Sequence, residues 1–567
     1  MTENRRMALL FLVAVLVYGN TLSNGFTYDD FIYIRNPSVQ ADSLTGLLEP
    51  TKFNNVFRPI TFATFALDWR LNGPHPFGYH VVNLLLHAAV TILLYLLVRR
   101  LLESASYAST VAFVTALLFA VHPIHTEVVA SITGRSELLA AGFLLLAWLL
   151  HLEDRLIPAI LCLLLAMMSK ESAVVFPALA VVGDLARGKL KPAVRYLCIA
   201  STVAAYLALF WRVEGRRFGE KGVAFVDNPL AYLPASVRIP NALRVGWKYV
   251  GLQLFPYKLS SDYSYNAVLL YSDWRHALPV AVASLLVLGL LFWALWSGRK
   301  HWFLAGATYL AAFAATANLL LPTGTIMGER LAYLPSAGFC LLLALLWAVV
   351  EKRTRMLAWV VLIALVAALG IRAAVRNRDW RDNLSLFSAD VRTVPGSARA
   401  HVNLGIEYLH RNQMDQALAE LKAGLEIYPT FSSGLENYGL LQSRLGHDQE
   451  ALESFRRALS VVPEDYFERD FMEVNLAAQL IKLGQYEEAL MILNQIISKS
   501  PNYSRAWSNR AVLRYRRGDF ASARADAETA LRLDSTNGQA ESLLMALNAP
   551  AGALPETWPA GPSSTVP

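Results

Sequence analysis

Short strings of mixed charge recur between the long apolar runs in the first two thirds of the chain. The first is Tyr28-Asp29-Asp30, followed by Phe57-Arg58-Pro59. Later come His122-Pro-Ile-His125-Thr-Glu127, Gly134-Arg135, Ser169-Lys170-Glu171 and Gly328-Glu329-Arg330. A carboxylate within hydrogen-bond reach of a hydroxyl can serve as a general base. Arg, Lys and His can hold a phosphate, Arg through two parallel bonds and Lys as a point charge. Together these residues supply the parts for transfer from a phosphate-linked donor to a hydroxyl acceptor. Taken singly, each has an ordinary explanation. Asp29 and Asp30 would suit a solvated turn, and Arg58 and Arg135 would suit interfacial anchors. The neighbours Lys170-Glu171 and Glu329-Arg330 would simply neutralise each other near a membrane. His122, His125 and Glu127 invite a zinc site, but a turn with one carboxylate is thin support, so no metal is expected. Neither GxGxxG nor GxxxxGK[ST] is present, which leaves a nucleotide site without support.

The elements that must position these strings are membrane helices. The chain is 55% hydrophobic and 17% charged, against roughly 25% charge in ordinary soluble domains. Eleven apolar runs lie near residues 7–22, 79–98, 108–121, 136–151, 156–168, 172–186, 196–211, 276–296, 302–320, 331–350 and 356–375. They predict an all-α, polytopic bundle, in which 156–168 and 172–186 read either as two spans or as one re-entrant hairpin. Arg5 and Arg6 before the first run resemble a signal peptide, but Tyr18-Gly19-Asn20 makes a poor cleavage site, so an uncleaved first span is expected. The three cysteines sit inside apolar runs without CxxC spacing, which argues against a disulfide framework. No basic stripe suggests nucleic acid.

Lys and Arg placement orients the bundle. With the N-terminus cytoplasmic, the connections on that side carry 14 basic and 5 acidic residues, while the three short turns opposite carry 3 of each. The long loops 23–78 and 212–275, and everything after residue 375, then fall outside the cytoplasm. So do all the mixed-charge strings. Activated nucleotide donors are generally absent there, and a donor already in the membrane, such as a polyprenyl-phosphate sugar, fits the chemistry.

The last third repeats. A small residue, then Ala, an apolar residue and Pro recur at Gly405, Ala417, Leu421 and Pro429, and again at Gly439, Ala451, Phe455 and Pro463. The third copy is Ala477, Ala489, Leu493 and Pro501; the fourth, Ala511, Ala523 and Ala527, has Ser535 in the proline position. The starts are 34, 38 and 34 residues apart, which places a four-residue insertion near 465–470. This is the tetratricopeptide repeat (TPR) period of two helices per unit, and it predicts a solenoid whose groove receives a polypeptide. The domains expected are 1–380 in the membrane, a linker at 381–398, about four repeats over 399–547 and a disordered tail at 548–567.

At these strings the chain resembles the transmembrane and TPR repeat-containing protein O-mannosyltransferases, within the C-type glycosyltransferase (GT-C) superfamily. The strings already named carry the resemblance, joined by Pro76-Phe-Gly-Tyr-His80 with Asn83 and His87. Leu254-Phe-Pro256, Ser261-Asp262-Tyr263-Ser264-Tyr265 and Glu329-Arg330-Leu-Ala-Tyr333-Leu-Pro335 continue it in order. It implies inverting transfer of mannose from a polyprenyl-phosphate donor to Ser or Thr hydroxyls, without a cofactor. It also implies Asp29 as the base, with Asp30 supporting or substituting. Arg58, His125, Arg135, Lys170 and Arg330 would hold the donor phosphate, with Glu171 and Glu329 orienting those cations. Two other readings stay open: a non-catalytic membrane-anchored TPR scaffold, and a lipid-linked glycan ligase or transporter.

Overall fold

The computed structural model describes residues 1–41, 56–215, 223–271, 275, 278–319, 321–464, 466 and 468–548. The expected tail beyond Asn548, and Asp465 and Phe467 of the expected insertion, lie outside them. The chain divides into two compact units, one ending at Pro395 and the other beginning at Gly396.

In the first unit every apolar run of the sequence forms a helix. Among the described residues, six stretches are long and apolar enough to cross a membrane: Glu3–Ser23, Pro76–Leu101, Ile132–Leu152, Ala193–Val213, Leu278–Trp296 and Arg355–Arg381. A seventh arises if Ala108–Val121 and Pro123–Ala130, bent by 53°, count as one. The other four, Leu156–Ser169, Phe176–Arg187, Lys300–Phe313 and Pro335–Glu351, are only 12 to 17 residues long. That is short of the ~20 residues a bilayer core demands. About eleven spans were expected, several of them short and one pair open to a re-entrant reading; among the described residues helix length supports six or seven full-length crossings.

Proline sets several starts. Pro59, Pro76 and Pro335 occupy first helical positions, where the missing N–H would have no intrahelical partner anyway. One apolar core joins the helices, with Leu94, Val114, Leu144, Trp148, Leu179, Leu304 and Leu341 all buried. Where Gly338 crosses the helix Lys300–Phe313, a Cβ would stand 2.5 Å from the Tyr309 backbone nitrogen. Only glycine allows that approach. The last long helix closes onto the first: Asn377 Nδ2 donates to the Val17 carbonyl at 3.0 Å. Leu278–Trp296 is the opposite case, apolar all round with Ala294 as its one buried residue. Such a helix suits contact with lipid rather than a protein core.

The stretch 381–398, expected as a linker, contains the helix Asn383–Thr393, whose Asp390 is fully buried. Asp390 accepts from the Ser261 N–H at 2.8 Å and from the Ser260 hydroxyl at 2.9 Å. This tie belongs to the first unit.

The second unit is an α-solenoid of four helix pairs, Ala398–His410 with Met414–Ile427, Ser432–Arg444 with Asp448–Ser460, Arg469–Lys482 with Tyr486–Lys499, and Ser504–Arg516 with Phe520–Leu533, followed by Gly538–Asn548. A Cβ on Gly439 would come within 2.9 Å of the Phe455 ring, so the small residue of the repeat sets how closely paired helices cross. Gly446, Gly484 and Gly518 end first helices at φ of 82°, 74° and 81°. Asn412 takes the same turn at 60° in the first repeat; asparagine tolerates the left-handed region better than most side chains.

Candidate active site

The loop after the first helix splits its two acids. Tyr28 adopts a φ of 52° and its N–H donates to Asn383 Oδ1 at 2.9 Å. Asp30 then turns inward and is fully buried. Its Oδ2 accepts from the Thr27 N–H at 3.0 Å, and its Oδ1 from the Thr133 N–H at 3.0 Å and the Ser131 hydroxyl at 3.1 Å. Burial pushes this carboxyl up to about 6 despite those bonds. Asp30 therefore pins the loop to the turn at 131–134, with its oxygens already occupied. Asp29 remains half-buried, and its carboxylate has no hydrogen-bond partner among the described residues.

Three cations converge here, each held by a carboxylate from another part of the chain. Arg58 binds Glu171 through two parallel bonds of 2.7 and 3.0 Å, and its third nitrogen donates to the Tyr33 hydroxyl at 3.4 Å. Arg330 donates to Glu127 from Nη1 at 2.7 Å and from its backbone N–H at 2.8 Å. Its Nε and Nη2 have no partner among the described residues, and its side chain is 35% exposed. Lys170 pairs with Glu137. These groups sense one another. Burial, Arg58 and Arg330 lower the Lys170 ammonium while Glu137 and Glu171 oppose them. Burial would raise Glu171, but Arg58 and Lys170 hold it near 2. Tyr33 is raised by burial and also senses Arg58, Asp29, Glu171 and Arg330. Asp29 in turn acts on Arg330. Asp29, Tyr33, Arg58, Lys170, Glu171 and Arg330 are thus one electrostatic cluster.

Other expected site residues are engaged elsewhere. Arg135 is fully buried, with Nε on Asn83 Oδ1 at 2.9 Å, Nη1 on Asp68 at 2.5 Å and Nη2 on the Tyr79 carbonyl at 2.9 Å. Its guanidinium also lies 4.7 Å from the centre of the Phe65 ring. His125 is fully buried, its Nδ1 bonded to the Phe119 carbonyl at 2.9 Å and its Nε2 to the Ser336 hydroxyl at 2.8 Å. Neither ring nitrogen is left for a phosphate. His122 meets the Gln253 carbonyl at 3.0 Å and Glu127 is committed to Arg330, so the three residues of the zinc reading point their polar atoms at separate partners.

Glu329, expected to orient the phosphate-holding cations, bonds none of them among the described residues. Its Oε1 accepts from the Ser260 N–H at 2.6 Å and the Tyr263 hydroxyl at 2.7 Å, while Oε2 has no partner among the described residues. Burial pushes the carboxyl up to about 8, although Arg376 opposes the rise. The folded chain then keeps a proton that the unfolded chain loses near 4.5, so this group's stabilising contribution falls as pH rises from about 4.5 to about 8. Glu329→Gln keeps the accepting oxygen and cannot ionise. Melting temperatures at pH 5.5 and 8 should differ less in that variant than in the parent; an unchanged difference contradicts a protonated Glu329.

Sequence reasoning missed Glu137 and Asp68, and weighed Glu127 only within a zinc reading that it set aside. One signal was available for Glu137. It lies two positions after Arg135 at the start of a helix, about 200° round the axis, so the two must serve different neighbours.

The tetratricopeptide repeat family profile matches residues 370–430 and 475–538. The chain is 29% identical over 420 residues to Protein O-mannosyl-transferase F38B6.6 of Caenorhabditis elegans, covering 71% of this chain and 59% of that protein. It is 26% identical to Protein O-mannosyl-transferase TMTC3 of Mus musculus over 603 residues, 94% of this chain and 64% of the relative. Protein O-mannosyl-transferase TMTC4 of Mus musculus is 29% identical, with coverages of 69% and 62%. The chain thus spans about three fifths of the length of these relatives.

Proposed function

We infer that this chain, a member of the transmembrane and TPR repeat-containing protein O-mannosyltransferase family, moves a sugar, mannose by its relatives' names, from a polyprenyl-phosphate donor to Ser or Thr hydroxyls. The observation that carries the reading is an uncommitted carboxylate, Asp29, beside an Arg330 with two open nitrogens. Asp29 takes the acceptor hydroxyl proton as the hydroxyl oxygen bonds to the anomeric carbon from the face opposite the phosphate. The bond from that carbon to the phosphate oxygen breaks, and its electron pair leaves with the polyprenyl phosphate. Arg330 and Lys170 stabilise the charge that develops on that oxygen, and Arg58, fixed by Glu171, supports them. Direct displacement inverts the anomeric centre. Asp30, Arg135 and His125 act by holding the loop and the bundle rather than by touching the donor.

The Lys and Arg distribution supports a multi-pass protein with a cytoplasmic N-terminus, and with the site and the TPR array on the extracytoplasmic side. Reporter fusions at Gly188 and Gly396 should then score on opposite sides. The scaffold alternative leaves an open base and an open guanidinium side by side without a use. Purified protein in micelles, given polyprenyl-phosphate mannose and a Ser-bearing peptide, should form the glycopeptide; a nucleotide-activated mannose in its place should yield none. Equal yield from the nucleotide donor would overturn the assignment.

A further inference from the structure

The loop that carries Asp29 is tied down on both sides of that residue. After it, Asp30 is bonded to Ser131 and Thr133 of the turn at 131–134. Before it, the chain is laid against residues 377–387. Asn24 Nδ2 donates to the Asn377 carbonyl at 3.0 Å, and the Gly25 N–H donates to the Arg381 carbonyl at 2.9 Å. The Tyr28 N–H donates to Asn383 Oδ1 at 2.9 Å, and the Tyr28 ring meets Phe387 edge-on, 5.7 Å between ring centres.

Tyr28 precedes Asp29 directly, and its φ is 52°. An aromatic residue stays in the left-handed region only where its surroundings hold it there. Here the hold is one bond to the Tyr28 backbone and one contact to its ring, and both come from the helix Asn383–Thr393. Asn383 and Phe387 are four residues apart, so they share a face of that helix. Asp390, seven residues after Asn383, lies on the same face and pins the helix to Ser260 and Ser261. At the other end Asp382 caps the helix, its Oδ1 accepting the Ser385 N–H at 2.8 Å, which fixes where the helix begins. The helix is thus anchored by contacts separate from the loop it holds. The conformation of Tyr28 in turn sets the direction in which the chain enters Asp29.

We propose that Asn383 is a positioning residue for the transfer reaction: its amide oxygen holds Tyr28 in the left-handed conformation and so aims the Asp29 carboxylate at the acceptor hydroxyl. This rests on Asp29 being the base. It gives a helix outside the apolar runs a part in the chemistry, through the backbone of the residue beside the base.

The test uses the full chain in micelles. Asn383→Leu keeps the size of the side chain and removes the acceptor. It should lower kcat about tenfold to a hundredfold, as expected for a reacting group misplaced by about 1 Å, with the KM for polyprenyl-phosphate mannose unchanged. Asn383→Asp still accepts the Tyr28 N–H and should restore most of the loss. Amide hydrogen exchange over residues 26–31 should rise in Asn383→Leu but not in Asn383→Asp, with the bundle helices protected as in the parent. Parental exchange at 26–31 in Asn383→Leu overturns the proposal, and so does raised exchange there with parental kcat. Exchange raised throughout the bundle also overturns it, because Asn383 would then support the fold at large. Exchange is read without reference to transfer, and Asp29→Asn tests the base by itself, so failure of the clamp and failure of the base reading are distinguishable.

Discussion

Asp29→Asn is expected to lower kcat by about two to four orders of magnitude, the usual contribution of a positioned general base, with little change in donor KM or melting temperature. The substitution nearly preserves shape and removes no hydrogen bond that supports the fold, since the Asp29 carboxylate has none among the described residues. Asp30→Asn is expected to behave differently. It replaces an acceptor oxygen that receives the Thr27 N–H or the Thr133 N–H with a donor facing a donor. Its principal effect should be on stability, with activity falling only as the loop loosens. The two variants, assayed for transfer and for melting together, separate a base from a brace. If Asp29→Asn retains transfer within tenfold of the parent, Asp29 is not the base.

Arg135→Leu should destabilise the bundle by about 3–5 kcal/mol, because it strands Asp68 as a buried charge without its partner. Asp68 is 4% exposed and Arg135 not at all, so water cannot replace the lost guanidinium. Asn83 and the Tyr79 carbonyl lose their donors in the same step. Arg135→Leu/Asp68→Leu should regain much of the loss, since removing both members of a buried pair costs far less than removing one. Thermal unfolding in detergent reads both effects. A parent-like melting temperature for Arg135→Leu, with a raised KM for the lipid donor, would instead restore Arg135 to the phosphate site.

The helical class, the position of every apolar run and the four repeats were all legible, because apolar length and repeat spacing are local properties of the chain. The number of full crossings was not. A helix such as Pro335–Glu351 is as apolar as a span, but its first half is buried among other helices, so its length need not match a bilayer. The helix Asn383–Thr393 read as a linker because its anchors, Ser260 and Ser261, lie some 130 residues away.

The charged strings pair across the chain rather than within themselves. Adjacent residues do not face one another on a helical turn. Lys170 and Glu171 therefore diverge to Glu137 and Arg58, and Glu329 and Arg330 diverge to Tyr263 and Glu127. What read as local neutralisation is a set of long-range ties that join five connections between helices. Arg135 has the same charge type as Arg330, and its full burial on Asp68 is visible only in the fold.

The most direct test is the intact mass of an extracytoplasmic acceptor protein recovered from cells that carry the parent, Asp29→Asn, or neither. Asp29 as the base of an O-glycosyl transfer predicts a one-hexose increment at Ser or Thr with the parent and an unmodified mass in the other two. The same increment with Asp29→Asn present at parental levels, or in cells without the protein, would contradict it.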